Sequence, residues 1–128
     1  QVLKANPSVG SSSECHCSSI GKCLLAFGRD VDLSVYEAHP LSVYTEYTIS
    51  TVEKLKEELQ DVREKGYAID REELELGLTC IGAPILDRSG HAIAAISLSG
   101  PKSRMLAGDF CERVRAVTEA ARKISANF

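Results

Sequence analysis

The chain has no excess of positive charge, no long apolar run and no regular cysteine framework, and each absence removes a class of function. Its 15 Lys and Arg are outnumbered by 18 Asp and Glu, giving a formal charge of −3. A nucleic-acid grip needs a basic face for the phosphates, and no Lys/Arg cluster supplies one. The apolar runs fall far short of the roughly 20 residues that a membrane-spanning helix requires. No basic start leading into an apolar stretch marks a secretory signal. The 5 cysteines, at positions 15, 17, 23, 80 and 111, are odd in number and irregularly spaced, which points to a reducing, cytoplasmic setting. Cys15-His16-Cys17, with Cys23 close by, is the nearest approach to a metal motif. Structural zinc sites favour two to four residues between ligands, whereas adjacent and alternate positions crowd each other or project to opposite sides. Free thiols, buried or half-exposed, are expected instead, with no metal and no cofactor.

What is present is one domain's worth of core. With 128 residues and 44% hydrophobic composition, residues 1–128 read as a single domain able to bury roughly two thirds of its unfolded surface. The chain begins with Gln rather than Met, and its first residues already read as strand, so it is expected to be a piece of something longer. Gln1–Ala5 is the expected edge strand and Asn6–Ser13 a Gly/Ser/Pro loop. Ser18 or Ser19 caps a helix reaching about Phe27, with Ile20, Cys23, Leu24 and Phe27 on its core face and Gly28 beyond its end. Its first amides carry partial positive charge and suit an anion. Leu33–Ala38 reads as a short helix stopped by Pro40, and Ser42–Ile49 as extended or looped. Ser50 with Glu53 forms a capping box for a helix whose Val52, Leu55, Leu59 and Val62 recur at helical spacing. Lys54, Glu57, Glu58, Asp61 and Glu64 make up its solvated face. A last amphipathic helix spans about Gly108 to Ala126, with Phe110, Val114, Val117, Ala121 and Ile124 turned to the sheet.

The stretch from Gly66 to Ser99, GYAIDREELELGLTCIGAPILDRSGHAIAAISLS, organises the rest: a short strand, an acidic turn, and two longer strands. Leu78–Leu86 and His91–Ser99 flank the turn Asp87–Gly90. A symmetric hairpin places Cys80 opposite Ser97, Leu78 opposite Ser99, and Gly82 opposite Ala95. Alternation then gathers Cys80, Ser97 and Ser99 on one face, beside small Gly82 and Ala95. Ile81, Ile85, Ala94, Ile96 and Leu98 take the other face. The polar side suits a compact polar ligand. Pro84 cannot donate to the ladder and is the expected place for a bulge.

The run GYAIDREELELGLTCIGAPILD resembles the signature of the IclR family of bacterial transcriptional regulators, in their C-terminal effector-binding domain. Gly66, Asp70, Glu73, Cys80, Ile81, Gly82, Ile85 and Asp87 fall at its spacings; Leu86 departs, an aromatic or His being usual there. His16-Cys17-Ser18-Ser19-Ile20-Gly21-Lys22, Thr45 with Thr48-Ile49, and Ser97-Leu98-Ser99-Gly100-Pro101 extend the likeness over about residues 9 to 125. The resemblance implies an α/β (α+β), GAF-like fold, an antiparallel sheet with helices packed on it. It implies a small carboxylate effector, of the 2-oxo acid or sugar acid class, and a homo-oligomer (dimer or tetramer). Operator DNA is met only through an N-terminal winged helix-turn-helix absent from this chain. Carried over by motif, the ligand positions are Ser19 and Ile20 at the helix start, Asp70, Cys80, Ser97 and Ser99. No Arg or Lys falls at these ligand positions, so amides and hydroxyls are left to compensate a carboxylate.

Two other readings compete. A cysteine-dependent enzyme using Cys80 needs a base within hydrogen-bond reach; no His is an evident partner, and Asp70 nearby raises rather than lowers a thiol pKa. A ligand-free dimerisation module requires a filled core where the pocket is expected. His16, His39 and His91 receive no role.

Overall fold

The computed structural model describes residues 2–4 and 15–128. The expected loop Asn6–Ser13, and both ends of the expected first strand, lie outside the described residues. The strand itself is present as β1 (Val2–Lys4), followed by α1 (Ser19–Phe27), α2 (Ser34–Ala38) and α3 (Val52–Lys65). Then come β2 (Ala68–Arg71), β3 (Leu78–Leu86), β4 (Ala92–Pro101), a short α4 (Lys102–Met105) and α5 (Phe110–Ser125). The strands form one antiparallel sheet in the order β1-β4-β3-β2.

Each helix starts where its local chemistry permits. The Ser18 hydroxyl accepts from the Gly21 amide and caps α1. The cap of α3 is Thr51, whose hydroxyl accepts from the Lys54 amide at 3.2 Å, and not Ser50 as expected. Both residues carry a hydroxyl; the one directly preceding the first apolar helical position does the capping. Gly66, at φ +86°, closes α3 in the left-handed conformation that a side chain resists. The turn α4 lacks any periodic apolar signal.

The sheet lies between two helical layers. On one face α1 packs against the sheet with α3 over it, and Ile20, Cys23, Leu55, Leu59, Val62, Ala68 and Ala95 form a buried cluster. On the other face α5 covers Ile81, Ala83, Ile85 and Ala94, with Met105 from α4 and Val117 and Ala121 from α5. Phe110, Val114 and Ile124 pack at the margin of that cluster, as their spacing predicts.

The β3–β4 register differs from the symmetric hairpin by two residues. Cys80 stands opposite Ser99, Gly82 opposite Ser97 and Pro84 opposite Ala95. One residue of the difference comes from the turn, where the Asp87 amide donates to the His91 carbonyl at 2.8 Å, so that Leu86 meets Ala92. The second comes from a bulge: Ile85 pairs with Ala94, leaving Ile93 without an opposite number. Pro84 itself pairs regularly with Ala95, and the irregularity falls just beyond it, between Ile85 and Leu86. Strand β2 begins at Ala68, opposite Gly82, so Pro84 lies where β3 is flanked on one side only and its missing donor costs little. Because the two displacements sum to an even number, the faces are unchanged: Cys80, Ser97 and Ser99 still share one.

Gly82 is where α1 comes closest to the sheet. A Cβ there would stand 2.9 Å from the carbonyl carbon and oxygen of Ser19 and 3.0 Å from its Cβ. No side chain larger than hydrogen fits without lifting the start of the helix. Gly82→Ala is therefore expected to destabilise the chain by about 1–3 kcal/mol, read as a lower urea midpoint at unchanged slope.

Candidate functional site

Three neighbouring strands bring the polar residues into rows. Asp70 pairs with Cys80 and Cys80 with Ser99; beside that row Ala68 pairs with Gly82 and Gly82 with Ser97. Alternation sets all six on the α1 face. Asp70 is 1% exposed and Cys80 9%, while Ser97 is half-buried and Ser99 exposed, so the row runs from interior to surface. Ser19 and Ile20 are buried at the start of α1, against Gly82. The first three amides of a helix lack intrahelical acceptors. Ser18 takes that of Gly21, and those of Ser19 and Ile20 stand at the first two helical positions, where the helix itself supplies no acceptor. All six sequence-predicted positions thus fall on one side of the sheet and on the helix end facing it. Leu86 sits at the far end of β3, its amide bonded to Ser125 of α5.

The residue that sequence reasoning missed is Lys22. It is fully buried, and its ammonium donates to Glu58 Oε2 at 2.7 Å, Glu73 Oε2 at 2.7 Å and the Ile69 carbonyl at 2.9 Å. An ammonium has three N–H donors, and all are spent. Glu58 is accordingly no member of a solvated face; it reaches back across α1 to this cation. The signal was available: Lys22 is the one charge in Ser18–Gly28, flanked by residues that pack into the core. A charge there must find a partner, and the run DREELE holds the carboxylates.

The acidic turn between β2 and β3 is locked from several directions. Glu73 Oε2 also accepts from the Arg71 amide at 3.2 Å, and the Glu73 amide donates to Asp70 Oδ1 at 2.8 Å. Thr45 and Thr48, from the irregular segment before α3, donate their hydroxyls to the carbonyls of Glu72 and Glu73, each at 2.6 Å. Glu72 is held at φ +58°, a conformation unusual for a side chain of its size. His16, given no role from sequence, is buried with Nε2 2.7 Å from the Ser42 carbonyl. That contact makes Nε2 the protonated nitrogen and pins the segment leading to Thr45. Burial, outweighing the Ser42 bond, lowers its pKa.

Burial raises the pKa of Asp70 above the ordinary carboxylate value, opposed by the Glu73 amide, by Lys22 and by the Leu74 amide. Glu73 is raised for the same first reason, opposed by its Lys22 partner. Asp70 Oδ2 and Glu73 Oε1 are buried without a hydrogen-bond partner. Burial likewise pushes the Cys80 thiol up, against a hydrogen bond to Ser99 and with the help of Asp70. A thiol so placed is protonated at neutral pH and a poor nucleophile. A shallow depression of about 350 Å³, lined among others by Leu76, Gly77, Leu78, Ser99 and Pro101, opens at the surface end of the row. Another of about 310 Å³, near Phe27, Arg63, Leu86 and Arg122, contains none of these positions. Among the described residues no group of three or more His, Cys, Asp or Glu is placed to hold a metal, and no helix is long and apolar enough to cross a membrane.

Two outcomes follow. Asp70 is raised in the folded state, so its ionisation opposes folding above about pH 4, the unfolded value. Asp70→Asn should gain stability relative to the parent as pH rises from 4, until the folded-state pKa is passed; paired urea titrations at pH 4 and 7 measure the gap. Iodoacetamide at pH 7 should label exposed Cys111 well before Cys80, as peptide mapping by mass spectrometry would record.

A family model described as bacterial transcriptional regulator IclR C-terminal matches residues 1–126. The HTH-type transcriptional regulator BhcR of Paracoccus denitrificans is 43% identical over 98% of this chain and 45% of its own length. The chain thus spans about half the length of the curated relatives it matches. The solved IclR of Thermotoga maritima superposes with a TM-score of 0.80 at 34% identity, over 88% of this chain and 46% of that one. The inducer-binding domain of PobR from Acinetobacter, a double mutant solved in complex with 3-hydroxybenzoic acid, gives 0.74 at 30% identity, over 87% and 65%. These relatives are transcriptional regulators, not enzymes. The chain belongs to the IclR family of bacterial transcriptional regulators and corresponds to their C-terminal, effector-binding domain.

Proposed function

We propose that this domain binds a small organic acid, of the 2-oxo acid or sugar acid class. Binding modulates operator recognition by a winged helix-turn-helix domain of the full-length regulator, a cytoplasmic homo-oligomer (dimer or tetramer). The observation that carries the reading is the placing of Asp70, Cys80, Ser97 and Ser99 on the sheet face against which the start of α1, at Ser19 and Ile20, is packed. The effector's carboxylate lies at the helix start, where the first N–H groups and the positive end of the helix dipole favour an anion. The hydroxyls of Ser97 and Ser99 donate to its oxygens. Cys80 and Asp70 meet the carbonyl or hydroxyl end. The nearby cation, Lys22, is no substitute for these donors, since its own are all engaged. That a related inducer-binding domain holds an aromatic hydroxy acid supports an acid as the ligand class.

A thermal-shift screen of organic acids tests this directly: a ligand present at 100 times its Kd should add about 2.7 kcal/mol of stability. Replacing Ser97 and Ser99 together by Ala should then cost roughly 1–3 kcal/mol of binding, from lost hydrogen bonds to a charged group. The fold should persist, because Ala occupies the same strand positions without strain. Isothermal titration compares the two proteins; equal affinity would move the effector away from this face.

A further inference from the structure

The geometry points to a second ligand site, remote from the effector face: the notch at the open flank of β3 takes a monocarboxylate with an aryl or short alkyl body, its carboxylate held by the Arg63 guanidinium. The inference stands apart from the effector-binding role proposed above and uses none of its residues.

The notch exists because β2 is shorter than β3. Strand β2 begins at Ala68, opposite Gly82, so the last residues of β3 have β4 on one side and no strand on the other. The C-terminal ends of α1, α3 and α5 surround that gap without filling it, which leaves the depression of about 310 Å³. Its apolar surface comes from Phe27, Ala83, Pro84, Leu86 and Ala121. Ala83 and Ala121 are buried and make the floor, while half-buried Phe27 and Leu86 form walls.

The main chain at this flank turns an extended peptide away. Pro84 has no N–H. The Leu86 amide is taken by Ser125 Oγ at 2.9 Å, which in turn donates to the Ala121 carbonyl at 2.8 Å. An added strand needs donors as well as acceptors from the edge it joins, and neither position offers a donor. A compact ligand needs no such ladder, and the volume lies at the small end of the range for ligand sites.

The charge at the rim selects an acid. Arg63, Lys65 and Arg122 line the notch, with Glu64 as the acid among them. Lys65 pairs with Asp61 at 2.9 Å and Arg122 with Glu119, whereas Arg63 has no carboxylate partner among the described residues. Its Nε donates to the Ala26 carbonyl at 2.9 Å, which pins the guanidinium at the end of α1. Of its terminal nitrogens, Nη1 has only a 3.4 Å contact with Gln60, and Nη2 has no bond among the described residues. Glu64 is exposed, so solvent and salt screen its charge. A guanidinium tethered through Nε keeps its two terminal nitrogens for a carboxylate, which they grip side by side. An acid with an apolar body therefore satisfies the rim and the floor together; acetate lacks the body, and a hydrocarbon lacks the charge.

Hydrocinnamate and the neutral hydrocinnamyl alcohol share one body, differ at the charged end and serve as probes, followed by amide NMR of the chain. The acid should saturate with a Kd of roughly 1 mM or lower. It should shift the amides of Phe27, Gly66, Leu86 and Arg122 most, and bind about tenfold tighter than the alcohol. Arg63→Gln should lose that preference. Leu86→Trp fills the notch and should abolish binding; Leu86 is half-buried, so this variant tests the site even if Arg63→Gln does not fold. Equal affinity for acid and alcohol, full binding by Leu86→Trp, or no saturable shift would each overturn the inference. Shifts centred on Ser19, Ile20 and Ser97 would also overturn it, and would place the acid on the effector face in support of the function proposed above. Shifts at the notch that persist when Ser97 and Ser99 are both replaced by Ala uphold it, whatever becomes of the effector reading.

Discussion

A single ammonium group holds the polar side of this domain in place. Taking Lys22 out of water costs several kcal/mol, and only a full complement of hydrogen bonds and opposite charge offsets that. It finds them on three separate elements: the carbonyl of Ile69 in β2, Glu73 in the acidic turn, and Glu58 in α3. Removing one partner of such a buried pair typically costs about 3–5 kcal/mol. The helix that opens onto the site, the helix above it and the turn beside it are consequently fixed relative to one another by one side chain.

The position of Asp70 follows from this anchor. Glu73 is drawn inward by Lys22, and its amide then points at Asp70 Oδ1. Thr45 and Thr48 close the turn from outside through the carbonyls of Glu72 and Glu73. They keep Glu72 in a left-handed conformation that costs of order 1–3 kcal/mol for such a residue. Preorganisation of this kind lowers the ordering cost of ligand binding, because the polar groups are already placed. What is left over among the described residues is a pair of buried carboxylate oxygens, Asp70 Oδ2 and Glu73 Oε1, short of a hydrogen-bond partner.

Much of the architecture was legible because it rests on periodicity. The apolar steps of α3 and α5 and the alternation along β3 and β4 are direct consequences of 3.6- and 2-residue repeats, and they identified both sheet faces. Register was less accessible. It depended on how the Asp87 turn closes and on an extra residue at Ile93, neither of which alternation encodes; the face assignment survived because the error was even. The capping residue of α3 was misplaced by one, since Ser50 and Thr51 offer the same hydroxyl chemistry. The larger omission was Lys22. Motif matching sought residues that touch a ligand, whereas Lys22 touches the residues that surround it. Its role becomes visible only when every buried charge is asked for its partner, a question about long-range contacts that spacing alone does not answer.

The bulge at Ile93 makes strand length a functional quantity. The two serines lie on the effector side only because an even number of residues separates the observed pairing from the symmetric one, and Ile93 supplies one of them. Exchanging Ile93 for another apolar residue leaves that count intact. Deleting it would remove the bulge and leave Ala94 opposite Ile85, so that Ser97 and Ser99 keep their face. The bulge is thus the place where this segment absorbs an odd residue, and the facing of the two serines depends on its being absorbed there rather than passed along the strand.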